Sequence, residues 1–250
     1  MIRLRSLTVL AVAGSAMLLA PQLAAKPADY AAALADTARV DKNRALDDGR
    51  HPAEMLDFAG IKRGQTVADY QAGGGYYTEL LSRVVGPKGR VYALTQPNFY
   101  EKDYWDKLVA SHPNVMPLVA PGQALTLAPG SVDVLFTHLV YHDLYWISDK
   151  YLHPRMDVPQ VLRGWFAAVK PGGHVIVIDH AGDPGDARAT VDKFHRIDPA
   201  QVKADMAAAG FVLEGESSVL HRSDDLHDKN VFDPAVRGKT DRFALKFRRP

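Results

Sequence analysis

Residues 69–81 read DYQAGGGYYTELL, and the fold turns on how this stretch is parsed. The segment before it, residues 66–70, has the apolar content of a short buried strand, and Gly73–Gly75 break the chain into a turn. From residue 76 the period changes: Tyr77, Leu80, Leu81, Val84 and Val85 fall on one face of a helix over 76–85. GPKGR at 86–90 stops that helix, and 91–95 begins a second strand. Strand, glycine turn, helix and strand make a βαβ unit. Asp69-x-Gln71-x-Gly73-x-Gly75 then sits where backbone passes close to a bound nucleotide-like molecule at a helix N-terminus.

Working outward, the same alternation continues. A helix is expected at about 100–111, strands at 115–119 and 132–137, a helix at 157–169, the KPGG turn and a strand at 174–179. Continuous apolar strands between amphipathic helices imply a parallel sheet buried on both faces. The end differs: helix 199–209 closes at Gly210, strand 211–220 follows, and a polar loop from Arg222 to Thr240 leads to a last strand in DRFALKF. Pairing of those two strands would be antiparallel. Upstream, an Ala-rich segment from Tyr30 to Leu46 has helical spacing, and Pro52–Ala59 is a short helix closed by Gly60.

The chain has 250 residues, 47% of them hydrophobic, enough for a sizeable core. It has no cysteine, which excludes disulfides, thiolate metal sites and a thiol nucleophile. Residues 1–25 read as a secretory signal peptide: Arg3 and Arg5, an apolar run from Leu7 to Leu19, then small residues at Ala24 and Ala25. The run is short for a membrane span, so cleavage is expected rather than anchoring, with a periplasmic or secreted product and no integral membrane segment left. Loss of the two leader arginines takes the formal charge from +1 to −1, which gives no electrostatic case for nucleic acid. The expected layout is leader 1–25, helical lead-in 26–60 and one domain over 61–250.

From about residue 50 onward the chain resembles the class I S-adenosylmethionine-dependent methyltransferases. The resemblance rests on VADYQAGGGYYTELLSRVVGPKGRVYAL, PGSVDVLFT and VKPGGHVIVIDH. Within that superfamily it is similar to a small group of predicted exported bacterial enzymes ending in FDP-x-x-RGKTDRF, here Phe232–Phe243. The resemblance implies an α/β fold: a doubly wound, mostly parallel, seven-stranded Rossmann-like sheet with an antiparallel C-terminal hairpin. It implies S-adenosylmethionine as cofactor, with Asp69, Gly73 and Gly75 along its amino-acid and ribose portion. Two positions depart from the family pattern. Gln71 stands where the first glycine belongs, and the second strand ends in Thr95 and Gln96 rather than an acid. A neutral group there forgoes a charge-assisted bond to the ribose, a difference of about 1 kcal/mol.

Ligands of open α/β sheets bind beyond the carboxyl ends of the strands. Past strand 132–137 comes HLVYHDLYW, and past 174–179 comes HAGDPGDARATVDKFHRIDP. His138, Tyr141, His142, Asp143, Asp179, His180 and His195 could therefore converge, with His138 on the cofactor side. Transfer of a methyl group to oxygen or nitrogen often needs a base, and histidine oriented by a carboxylate suits that role. His142 with Asp143 is the first choice, with His180 or His195 as alternatives and Tyr141 nearby. Taken singly, each is as well explained as a hydrogen-bonded structural residue. His138 and His142 also have the spacing of two metal ligands on one helical turn, with Asp133, Asp179 and Asp198 as oxygen donors, but a third ligand is not identifiable. Trp105, Trp146 and Trp165 read as packing anchors and RGKTDRF as a solvated turn, although Arg237 or Lys239 could meet an anionic acceptor. The reading that follows is a methyltransferase acting on a small-molecule acceptor. The alternative is an exported, non-catalytic protein that binds a ligand or metal on the same scaffold. A nicotinamide-dependent dehydrogenase is less favoured, since its ribose-binding acid is absent.

Overall fold

The computed structural model describes residues 29–250 apart from 122, 125 and 126, so the leader expectation lies outside the described residues. Four short helices come first: α1 (Tyr30–Ala35), α2 (Asp41–Arg44), α3 (Asp47–Arg50) and α4 (Pro52–Ala59). The alternating part comprises β1 (Thr66–Tyr70), α5 (Tyr76–Val85), β2 (Arg90–Thr95), α6 (Lys102–Ser111), β3 (Val115–Val119), β4 (Val132–His138), α7 (Val158–Ala168) and β5 (Val169–His180). It is followed by α8 (Ala187–Phe194), α9 (Pro199–Ala208), β6 (Val212–Ser217) and β7 (Arg242–Arg248).

The seven strands form one sheet in the order β3-β2-β1-β4-β5-β7-β6. All pairs from β3 to β5 are parallel, and β7 runs antiparallel to both β5 and β6, as the sequence led us to expect. The period of two divides the strands between two cores. Ala68, Tyr70, Leu135, Val175, Val177, Leu245 and Phe247 pack towards Val161, Leu162 and Trp165 of α7 and Val202 and Met206 of α9. Val67, Val134, Phe136, Ile176 and Ile178 pack towards α4, α5 and α6 on the other side. Because β1 lies inside the sheet, with the chain winding to β2 and β3 on one side and to β4 and β5 on the other, its carboxyl end opens at a topological switch point.

Three expectations need correction. The segment from Tyr30 to Leu46 is not one helix. Asp36 accepts the amide of Ala38 through Oδ1 and the amide of Arg39 through its carbonyl, which turns the chain after α1. β5 begins at Val169, with KPGG absorbed as an irregularity: the register to β4 slips between Val132 and Val134, and Gly172 has φ +75°. Finally, Ala187–Phe194 forms a helix that was not anticipated, capped by Asp186 accepting from the amide of Ala189.

Candidate functional site

The turn after β1 makes a hollow, and its residues show how. Gly75 caps α5 at φ +70°, and a Cβ there would meet the Tyr104 hydroxyl at 2.7 Å. Gly75 thus serves close packing rather than lining the space. Gly73 has φ +52° and Gly74 is exposed; a Cβ on Gly74 would meet nothing within 4 Å, and one on Gly73 only the Gln71 carbonyl at 3.9 Å. The space over these two glycines belongs to a cavity of about 460 Å³. Its wall includes Asp69, Gln71, Tyr76, Tyr77, His138 and Arg50.

Asp69 is buried, and its Oδ2 accepts the Thr78 hydroxyl at 2.5 Å, tying the end of β1 to the first turn of α5. Burial raises its carboxyl to about 7 against the opposing hydrogen bonds from Thr78. His138 ends β4 and packs edge-on to Tyr77 with centroids 4.7 Å apart. Its Nε2 is buried and without a protein partner, and burial, reinforced by Arg50 and Arg242, holds the ring well below the ordinary histidine range, hence neutral.

Gln71 stands in the left-handed region at φ +52°, a conformation that costs a non-glycine residue about 1 kcal/mol. Its side chain leaves the hollow open and pairs with β2's exit: Gln96 Nε2 donates to Gln71 Oε1 at 2.9 Å. Gln96 Nε2 also approaches His153 Nδ1 at 3.3 Å, while His153 Nε2 donates to the Asp143 carbonyl at 2.8 Å. Gln96 lines a second cavity of about 360 Å³ with Pro97, Pro121, Leu152, Pro154 and Met156. The amide bridge thus joins a residue of the polar cavity beside the glycines to a residue of a more apolar one at the ends of β2 and β3. Thr95 does not take part: it is buried inside β2, and its hydroxyl lines neither cavity.

The remaining candidates form a separate cluster. His142 is buried, and Asp179 holds it twice: Oδ2 accepts the backbone amide and Oδ1 accepts Nδ1, each at 2.8 Å. Burial disfavours the charged ring, but the charges of Asp179 and Asp143 outweigh it and lift His142 to about 9. Asp143, expected beside His142 as its partner, approaches only Nε2, at 3.5 Å, because successive residues of the turn at 142–144 point apart. The two carboxylates thus favour the protonated ring. His180 and His195 flank it, with ring centroids 5.9 and 5.7 Å away. His180 Nδ1 hydrogen-bonds Thr240 Oγ1 at 2.7 Å. His195 is kept neutral by burial and the nearby His142 charge, which push it down to about 4. None of the three lines either cavity. What the cluster fixes is the chain between β4 and His142, which delivers His138, Leu139 and Val140 to the cavity wall.

Tyr141 points the other way, donating to Asp205 Oδ2 at 3.0 Å, and is fully buried against Trp165. The metal spacing dissolves as well, since His138 ends a strand and His142 begins a 3₁₀ turn, so they share no helical turn. Asp133 lies at the opposite end of the sheet, accepting from the Thr66 amide, and Asp198 caps α9. Among the described residues no group of three or more histidines and carboxylates is placed to hold a metal. RGKTDRF is not simply solvated: Arg237 and Lys239 are exposed, but Thr240, Asp241 and Arg242 are buried. Arg50 and Gly74 were not anticipated as site residues, and Gln96 only as a neutral group closing the second strand. Gln96 had a signal in its position after β2; Arg50, from the lead-in, had none.

Residues 68–177 match the family model described as a methyltransferase domain. The ubiquinone/menaquinone biosynthesis C-methyltransferase UbiE of Klebsiella pneumoniae is 30% identical over 126 residues, which is 50% of this chain and 46% of that protein. The UbiE of Enterobacter sp. strain 638 is 29% identical over the same length. The chain spans about half the length of these curated relatives. Among solved structures, an S-adenosylmethionine-dependent methyltransferase from Aquifex aeolicus superposes with a TM-score of 0.56 at 22% identity, covering 85% of this chain and all of that one. Geranyl diphosphate C-methyltransferase from Streptomyces coelicolor superposes with a TM-score of 0.58 at 15% identity, covering 90% and 91%. Residues 68–177 are thus similar to a methyltransferase domain, and the chain has the fold of the S-adenosylmethionine-dependent methyltransferases.

Proposed function

We propose that this protein is an S-adenosylmethionine-dependent methyltransferase acting on a small-molecule acceptor outside the cytoplasm. One observation carries the reading: the hollow over Gly73 and Gly74 is open main chain, bounded by Asp69 and leading to the Gln71–Gln96 bridge. The residues present fit the cofactor. Asp69 offers a carboxylate to its cationic amino-acid end. The Gln71–Gln96 pair offers neutral amide groups where the family places an acid on the ribose. The apolar second cavity suits a flat heterocycle.

Bound S-adenosylmethionine supplies an activated methyl group on a sulfonium, and the protein's contribution is placement. The glycines let the backbone approach, while Tyr76 and Tyr77 wall the cavity and restrict water. The His142–Asp179 clamp fixes the loop that carries His138 to the cavity wall. A cavity of about 460 Å³ is of small-molecule size. A non-catalytic metal-binding role has no observation on its side.

The test is calorimetric titration with S-adenosylhomocysteine. Gly74 tolerates a side chain in the folded state, so Gly74→Leu should keep the melting temperature while lowering affinity at least tenfold. Equal affinity in both proteins, or no binding by the unaltered one, would end this reading.

A further inference from the structure

Arg50 reaches the cavity from the lead-in, and its guanidinium meets no carboxylate among the described residues. It lies against the face of Tyr76, with the guanidinium carbon 4.2 Å from the ring centroid. The nearby carboxylate, Asp47, is already engaged by both Arg39 nitrogens, at 2.6 and 2.8 Å, and by the Tyr76 hydroxyl at 2.7 Å. Behind Arg50 stands a second arginine. Arg242, at the start of β7, is 6% exposed and makes no ion-pair contact among the described residues, Asp179 acting on it only at longer range; its Nη1 donates to the Gly49 carbonyl at 2.9 Å and its Nε to Thr240 at 3.2 Å. Two buried or half-buried cations side by side are unfavourable unless something negative is near.

The adjoining wall offers hydrogen-bond capacity that the protein does not use. Tyr77 lines the cavity at 3% exposure with its hydroxyl unpartnered, and His138 lines it with Nε2 unpartnered. Guanidinium, phenol and, as the Nε2–H tautomer, imidazole are all donors. Such a set is complementary to an oxyanion.

Charge balance says which ligand brings the anion. The cavity wall carries Lys42 and Arg50 against one carboxyl, Asp69. S-adenosylmethionine, with a sulfonium, an ammonium and a carboxylate, is itself a net cation, so it leaves the positive surplus uncancelled. We propose that the acceptor is an anion, carrying a carboxylate or phosphate that Arg50, backed by Arg242, and Tyr77 with His138 hold in this cavity. This rests on the methyltransferase reading for the word acceptor, and on the side chains alone for the anion. Arg50, unlike Arg237 and Lys239, is the cation through which an anionic acceptor is recognised.

Inorganic phosphate is the probe, titrated at low ionic strength into the full chain, free and saturated with S-adenosylhomocysteine. Phosphate should bind in both states. Arg50→Gln should weaken it at least tenfold, Arg50→Lys should recover part of that loss, and the exposed control Arg237→Gln should leave it unchanged, with circular dichroism confirming that every variant is folded. One-for-one competition between phosphate and S-adenosylhomocysteine would assign the site to the cofactor's own carboxylate and overturn the proposal. So would absence of phosphate binding, or indifference to Arg50→Gln. Phosphate binding without any binding of S-adenosylhomocysteine would leave an anion site and remove the acceptor role, which separates failure of the methyltransferase reading from failure of this one.

Discussion

Asp69 faces the cavity with its carboxyl raised to about 7 by burial, so a cationic ligand brought against it should change its protonation. At pH 6 the free protein holds the proton and the complex with S-adenosylhomocysteine, which carries an ammonium, should release it. Calorimetry in two buffers of different ionisation enthalpy should then show release approaching one proton, with affinity rising up to about pH 7; Asp69→Asn should abolish both effects. His142 gives a residue-scale prediction of opposite origin. Its folded value, about 9, lies above the ordinary 6.5, so the stability it contributes is complete below pH 6.5 and is lost as pH climbs through 9. That loss is on the order of 3 kcal/mol and should vanish in His142→Gln, as read by denaturant unfolding across pH 6–10. The sequence pointed to Asp69, Gly73, Gln71 and His138 because a glycine turn after a strand has few geometries. It could not show that Asp179 rather than Asp143 holds His142, since that pairing joins the end of β5 to the turn after β4, 37 residues apart.

At the scale of elements, the helix after the turn was expected to bury one face, yet Thr78, Glu79 and Ser82 are buried as well. The lead-in covers them. Glu79, 1% exposed, accepts from the Val40 amide and from Asn43 Nδ2, both at 3.0 Å, and lies 3.7 Å from Arg39 Nε. This one carboxylate fastens α2 and its neighbours to α5, and the fastened segment supplies Asn43, Leu46 and Arg50 to the cavity. Removing one partner of a buried ionic network costs about 3–5 kcal/mol. Glu79→Ala should therefore lower stability by about that amount. It should also speed proteolysis between residues 36 and 50 and weaken ligand binding, whereas an exposed control such as Glu54→Ala should change none of these. Periodicity could not reveal the fastening, because a polar residue on the outer face of a helix looks solvated until another segment covers it. The same limit hid α8, whose length and polar composition leave only Val191 buried.

For the whole molecule, the strands were legible because seven apolar segments between turns admit few arrangements, and the reversal at the end follows from a loop that lets β6 and β7 pair as a hairpin. The consequence is a central strand whose carboxyl end is flanked by β2 on one side and β4 on the other, where the polar cavity opens, with the apolar one beside it past β2 and β3. Export is a separate proposal about the whole chain: cell fractionation should find the protein outside the cytoplasm, and intact-mass measurement should find it beginning at Lys26; a cytoplasmic, full-length product would refute it. Methyl transfer by this protein depends on where the nucleoside lies. Amide hydrogen exchange, followed by mass spectrometry with and without S-adenosylhomocysteine, reads that position peptide by peptide. Slowed exchange is expected in peptides spanning residues 70–76 and 94–98, the two sides of the Gln71–Gln96 bridge. Binding that leaves both peptides unchanged, and slows exchange elsewhere instead, would contradict the account.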